Sequence, residues 1–261
     1  MAQRAVFLQT LTTQPDTFDP AAFDRLAQAE PGHFWFEERR RLIGWALERY
    51  FPRARSFCDV GCGTGFVLAW LARQQPALKF TGIDPYPQAL AHTARHLSGA
   101  ELYQSNIMDA DFPAAFDVVG CFDVLEHIPD DQGALDSLAA RVRPGGGLIL
   151  TVPQHPRLWS AADEIGHHQR RYTRLLLLSR LKASGLTCVR VTSFVTSLLP
   201  VMWVRRNGAP SREQALAELH PTRIANAFGR VLLRVETRLI AAGVSFPWGG
   251  SLLVVAVKPV A

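Results

Sequence analysis

The chain has 261 residues, 48% hydrophobic and 20% charged, with a formal net charge of +5. That balance suits a globular protein with one sizeable core and excludes a disordered or fibrous chain. No stretch approaches the roughly twenty apolar residues of a membrane span, and Cys58, Cys62, Cys121 and Cys188 form no C-x-x-C pair, which argues against a zinc site or a disulfide framework.

The N-terminus lacks an apolar core of signal-peptide length, so a cytoplasmic protein with reduced, buried thiols is expected. Residues 20–51 predict helices. PAAFDRLAQAE is a short one; HFWFEERRRLIGWALERYF is longer, apolar at Phe34, Leu42, Ile43, Ala46 and Leu47. Glu37, Glu38, Arg39, Arg40 and Arg41 are expected on its wet side. No catalytic part is assigned to Trp35, Phe36 or Arg39.

RSFCDV then reads as a strand, DVGCGTG (residues 59–65) as a glycine turn, and FVLAWLARQ as a helix. Gly61, Gly63 and Gly65 let the main chain turn sharply and approach a ligand, because no Cβ intrudes. The spacing is G-x-G-x-G, and Phe66 stands where a dinucleotide fingerprint wants glycine or alanine. Asp84 closes the next strand in GIDP, residues 82–85, where a carboxylate can accept ribose hydroxyls. A nucleoside without a pyrophosphate is the expected ligand.

On these two motifs the chain resembles the class I S-adenosylmethionine-dependent methyltransferases. The resemblance implies S-adenosylmethionine as cofactor and S-adenosylhomocysteine as product. It places Asp59 at the methionine end, Gly61, Cys62, Gly63, Thr64 and Gly65 along the turn, and Asp84 with Pro85 at the ribose. It also implies that the aromatic N-terminal helices lie over the cofactor.

Strands are predicted near 55–60, 78–83, 100–103, 116–122 and 146–152, and helices near 65–74, 86–97 and 130–142. Runs such as FDVVGCF and GLILTV are apolar nearly throughout, the mark of a parallel sheet covered on both faces. The glycines of RVRPGGGLILTVP read as a turn rather than a phosphate cradle. In the resembled family the loop SNIMDADFPAAFD lines the adenine, which would put Asn106, or Asp109, at its amine and Ile107 and Met108 on the ring. Phe122 and Asp123, at the end of a strand, should border the methionine part. Asp123, Glu126 and His127 resemble the E-x-x-E-H of quinone-ring O-methyltransferases, which has been linked to a divalent ion. V-L-E-H is also common in the wider family without metal, and no metal is expected here.

VPQHPRLWSAADEIGHHQRRYTR, residues 152–174, follows the fifth strand and resembles a pattern from a bacterial subset of that superfamily through His155, Trp159, Asp163, His168, Arg170, Arg171 and Tyr172. Two readings stand: a wall of the acceptor site, or a salt-bridge network of Asp163 and the arginines. His155, His168, Tyr172 and His127 are the catalytic candidates, a histidine being suited to proton removal near neutral pH.

TRLLLLSRLKASG predicts a helix capped by Thr173 and stopped at Gly185; LTCVRVTSF is a sixth strand and SLLVVAV an antiparallel last one. Between them SREQALAEL opens with a capping box, Ser211 facing Gln214. TRIANAFGRVLLRVETRLIAAG is amphipathic, with Ile224, Ala227, Phe228, Val231, Leu232, Val235 and Leu239 as its apolar face and Arg230, Arg234 and Arg238 beside it. With the apolar-then-basic FVTSLLPVMWVRR it makes a lid, a dimer surface or an interfacial anchor, the first two preferred.

The expected protein is therefore α/β, a Rossmann-like seven-stranded, mostly parallel sheet with helices on both faces. Residues 1–51 form a helical cap, 52–194 the cofactor-binding core, 195–250 a helical insertion and 251–261 the last strand. The expected activity is methyl transfer to oxygen, nitrogen or carbon of a small molecule by a monomer or homodimer. Basic residues are not interleaved with aromatics, so no nucleic-acid partner is expected. A nicotinamide-dependent oxidoreductase, which Phe66 disfavours, and a non-catalytic cofactor-binding regulator are the alternatives.

Overall fold

A computed structural model describes residues 6–9, 19, 22–109, 115–206 and 218–260. Strand β1 (Val6–Gln9) precedes helices α1 (Ala22–Ala29) and α2 (Phe34–Tyr50). Strand and helix then alternate through β2 (Ser56–Val60), α3 (Phe66–Gln74), β3 (Lys79–Asp84) and α4 (Pro87–His96). Next come β4 (Glu101–Gln104), β5 (Phe116–Phe122), α5 (Asp131–Arg141) and β6 (Val142–Pro153). The chain continues through α6 (Ala161–Ile165), α7 (Arg174–Ala183), β7 (Thr187–Phe194), α8 (Leu199–Arg206), α9 (Arg223–Ala241) and β8 (Ser251–Val257).

The strands form one sheet in the order β1-β4-β3-β2-β5-β6-β8-β7. Pairings from β1 to β6 are parallel; β8 runs antiparallel between β6 and β7. All seven expected strands are present, and β1 adds an eighth beside β4. The glycines after Val142, expected as a turn, lie within β6 instead, at an irregularity in its register with β5 where Gly145 has φ +79. Chain order reverses between β2 and β5, which opens a crevice beyond their carboxyl ends.

Alternation along the strands splits the core in two. Phe57 joins the cluster on the α2, α3 and α9 side, whereas Cys58 and Val60 join the one beneath α5 and α7. Every residue of β5 from Val118 onward is buried, as a strand covered on both faces requires.

Two expectations about helix faces fail. Glu38 and Arg39, placed on the wet side of α2, are 2% and 8% exposed. The reason is tertiary: Glu38 accepts hydrogen bonds from Arg234 and Thr237 of α9, and Arg39 reaches Asp123 beyond β5. In α9 the apolar positions Ile224, Phe228, Val231, Val235 and Leu239 are exposed, with Ala227. The helix packs on α2 through its opposite side, at Gly229, Leu233, Glu236 and Ile240. Gly229 matters here, because a Cβ would meet the Phe34 ring at 2.9 Å. Asn226 completes the seam, accepting from Phe34 N–H at 2.8 Å and donating to the Gly32 carbonyl at 2.9 Å. The expected capping box at Ser211 and Gln214 lies outside the described residues.

Glu236 carries the path into α8. Its buried carboxylate accepts the N–H groups of Thr196 and Ser197 at 3.0 and 2.9 Å. Glu236→Ala strands both donors and should lower stability by about 2 kcal/mol in urea unfolding; an unchanged midpoint would contradict this role.

Candidate functional site

The turn after β2 is pinned to β3. Gly61 and Cys62 both donate N–H to the Ile83 carbonyl, at 2.8 and 2.9 Å. Gly61, Gly63 and Gly65 have φ of +75, +56 and +77, a region that only glycine enters at little cost. Their surroundings differ. A Cβ at Gly61 would strike Val124 at 2.4 Å and one at Gly65 would strike Thr93 at 2.7 Å. A Cβ at Gly63 would meet nothing within 4 Å among the described residues. Gly63 alone faces open space.

Asp84, 4% exposed, holds that same residue: Oδ2 accepts Gly63 N–H at 2.9 Å and Oδ1 accepts Tyr86 N–H at 3.0 Å. Each oxygen keeps a lone-pair site for another donor. Burial pushes this carboxyl up to about 6, against the pull of the two N–H groups. Thr64 turns its hydroxyl to Glu30, just after α1, whose carboxyl burial pushes up to about 7. Cys62 packs inward, its Sγ 3.8 Å from Thr93 Oγ1, and Pro85 offers its carbonyl to Gln104.

Asp59 is 2% exposed, and its Oδ1 has no hydrogen-bond partner among the described residues. Burial pushes its carboxyl up to about 7, with Arg39 opposing the rise. Arg39 pairs with Asp123 while its guanidinium lies 4.5 Å over the Trp35 ring. Asp123 has φ +55 and also accepts from Thr151 Oγ1 at 2.9 Å. Glu30 and Arg39, which sequence reasoning missed, thus close on the turn from the N-terminal helices. Their signal was present only as charges in an aromatic helical stretch.

The remaining positions divide. Phe122 turns into the core, stacked 6.5 Å from Phe57, so its side chain does not border the crevice as expected. Ile107 is buried and Met108 is 46% exposed. Asn106 Oδ1 accepts from Met108 N–H at 3.1 Å, while Asp109 accepts from Ser105 and Asn106; both side chains stabilise their own loop.

The loop after β6 folds back on the turn Leu125–His127, where Gln169 N–H donates to the Glu126 carbonyl at 2.7 Å. Buried Asp163 accepts from His168 Nδ1 at 2.8 Å and from Arg171 Nε at 2.7 Å. Burial alone would raise this carboxyl, but His168 and Arg171 outweigh it and hold it at about 2. Nε2 of His168 is thereby left as the basic nitrogen. His127 meets the His168 ring edge to face at 4.7 Å, and burial, with His168 alongside, pushes it down to about 4. Donor atoms of Glu126, His127 and His168 lie within 4.8 Å of one another, a set able to hold a divalent cation. Glu126 is fully buried, with neither oxygen bonded to another described residue, and burial beside Asp123 raises its carboxyl well above the usual range.

One catalytic candidate is enclosed, and another stands apart from the histidine pair. Tyr172 is fully buried, its hydroxyl tied to Asp131 at 3.1 Å and the Leu125 carbonyl at 3.4 Å. Burial raises its pKa far above the ordinary value, so it is scaffold and not a proton carrier. His155, with φ +63, lies beside Arg171 and outside the Glu126–His127–His168 group.

Glu30, Asp59 and Asp84 hold a proton more tightly folded than unfolded. Their contribution to stability is complete below about pH 4 and is lost as pH rises through 6 to 7. Asp59→Asn removes one such loss, so urea unfolding should show the variant gaining on the wild type by more than about 1 kcal/mol between pH 5 and pH 8. A pH-independent difference would contradict the burial of that charge.

A family model described as a methyltransferase domain matches residues 27–191. The chain is 31% identical over 147 residues to the ubiquinone biosynthesis O-methyltransferase of Stutzerimonas stutzeri, covering 54% of this chain and 61% of that protein. It thus spans about three-fifths of that relative's length. By structure it resembles Haemonchus contortus phosphoethanolamine N-methyltransferase 2 in complex with S-adenosyl-L-methionine, with a TM-score of 0.61 at 17% identity over 96% of this chain and 60% of that one. It also resembles the [4+2]-cyclase SpnF, with a TM-score of 0.58 at 21% identity over 87% of this chain and 84% of that one. No described helix is long and apolar enough to cross a membrane. With the glycine turn, its acid and the reversed strand order, the family match shows that the chain belongs to the methyltransferase domain family, among the class I S-adenosylmethionine-dependent methyltransferases.

Proposed function

We propose that the chain methylates a small molecule on oxygen, nitrogen or carbon, a hydroxyl being the acceptor this site suits best. The observation that carries the reading is Gly63, open on its Cβ side and hydrogen-bonded to Asp84, at the point where strand order reverses. Asp84 would take the ribose hydroxyls, and the main chain of Gly61, Cys62, Gly63, Thr64 and Gly65 would run along the nucleoside, with Pro85 beside it. Ile107 and Met108 would flank the adenine, and Asn106 would reach its amine by turning from its own loop. Asp59 and Asp123 would face the methionine end, to which Phe122 contributes main chain only.

The residues fit a cationic sulfonium compound: Asp59 has an unpaired buried oxygen, and Glu126 is a second buried acid nearby, in electrostatic reach of Asp123 and Arg39. Once bound, S-adenosylmethionine supplies an activated methyl group. The protein's tasks are to aim the acceptor, exclude water and take a proton where the nucleophile carries one. His168 is the base of choice, because Asp163 fixes its Nδ1 and leaves Nε2 free to accept. His127, held at about 4, is a weak base at neutral pH. The relative's name, an O-methyltransferase, supports oxygen as the atom methylated.

Asp84→Ala should weaken S-adenosylhomocysteine binding at least tenfold, about 1.4 kcal/mol, while cooperative melting persists. Gly63→Ala should do the same, at some cost in stability because φ +56 strains any side chain, but without a clash, since its Cβ points into open space. Unchanged affinity in calorimetry for both would refute the placement. Once an acceptor is known, His168→Gln should lower kcat by about a hundredfold with cofactor affinity retained; a loss under about tenfold would count against the base. If chelation abolishes activity and a divalent cation restores it, His168 is a metal ligand instead.

A further inference from the structure

Helix α9 has two apolar sides, and the described residues cover only one. Ile224, Phe228, Val231, Val235 and Leu239 recur at spacings of four, three, four and four, which sets them in one stripe. They are 84%, 62%, 63%, 51% and 43% exposed. A continuous stripe of this kind exceeds the scattered single apolar residues of an ordinary surface. Arg223, Arg230, Arg234 and Arg238 follow one flank of the stripe. Arg223 and Arg238 are exposed, whereas Arg230 reaches the Gly32 carbonyl and Arg234 reaches Glu38. The helix has a single acid, Glu236, and it is buried at 4% exposure. Outward, α9 is apolar and cationic without a carboxylate.

Exposed apolar side chains also occur on segments tied to the inner side of α9 rather than to the stripe. Glu236 binds the N–H groups of Thr196 and Ser197, which lead into α8, and the Thr196 hydroxyl donates to the Trp248 carbonyl at 2.6 Å. There Trp203, Val204 and Trp248 are 47%, 75% and 65% exposed. Indole rings favour the boundary between headgroups and hydrocarbon.

We propose that this face docks on an anionic lipid bilayer, with α9 lying in the plane of the headgroups and its stripe sunk among them. Charge decides the occupant. Anionic headgroups complement the arginines and the interior accepts the stripe, the combination that holds amphipathic helices at membrane surfaces. A second copy of the chain would bring further arginines and no exposed carboxylate from α9 to meet them. No described helix is suited to crossing, so the attachment is peripheral. This docking is independent of the methyltransferase reading and can fail or hold without it.

The test is flotation of the full chain with vesicles of phosphatidylglycerol mixed with phosphatidylcholine, and with phosphatidylcholine alone. Wild type should partition at least about tenfold more strongly onto the anionic vesicles, less so at high salt. Phe228→Glu with Val231→Glu should cut partitioning at least about tenfold, and Arg223→Glu with Arg238→Glu should abolish the preference for anionic lipid. All four side chains are exposed, so melting should not move. Three results would overturn the proposal: equal partitioning onto both vesicle types, undiminished binding by both variants, or a wild-type dimer that Phe228→Glu converts to monomer in light scattering.

Discussion

A single buried carboxylate organises this site. Asp84 ends β3, and each of its two oxygens accepts one N–H, from Gly63 of the turn after β2 and from Tyr86 at the head of α4. Two adjacent parallel strands are thereby locked together where a ligand must approach. Burial makes the charge costly, and the two N–H groups offset part of that cost. Side chains would strain this turn: at Gly61 and Gly65 there is no room for a Cβ, and all three glycines have positive φ. What remains open is the space beside Gly63.

The second constraint is that acids buried near one another need cations or partners. Arg39 supplies one such charge, seated on Trp35 and paired with Asp123, with Asp59 and Glu126 within its electrostatic reach. It comes from α2, whose neighbouring residue Glu38 is held by α9. One helix therefore touches both the crevice and the insertion. A corresponding arrangement in the loop after β6 joins Asp163 to His168 and Arg171. It is at once a scaffold, as the salt-bridge reading anticipates, and the support of a histidine with a basic nitrogen available.

Much of the fold was legible because its signals are local. Apolar runs, the glycine turn and the acid of GIDP each lie within a few residues, and β2 to β6 fall close to their expected positions. Where the outcome depended on partners distant in sequence, the reading failed. Glu38 and Arg39 sit in a charged run that any helical projection turns to solvent, but α9 and Asp123 draw them inward. For α9 the periodicity was real, yet it could not say which side finds a neighbour; Gly229, which admits the Phe34 ring, decided that. Tyr172 looked reactive by type and is fully enclosed. Catalytic character depends on exposure, and residue type does not reveal it.

Fold alone does not fix the reaction, since a protein named a [4+2]-cyclase shares this architecture. The account therefore rests on where the nucleoside sits. A crystal structure with S-adenosylhomocysteine tests this most directly. The account predicts ribose hydroxyls donating to Asp84 and the nucleoside lying against Gly63. Ligand bound elsewhere, or an Asp84 carboxylate still satisfied by Gly63 and Tyr86 alone, would contradict it.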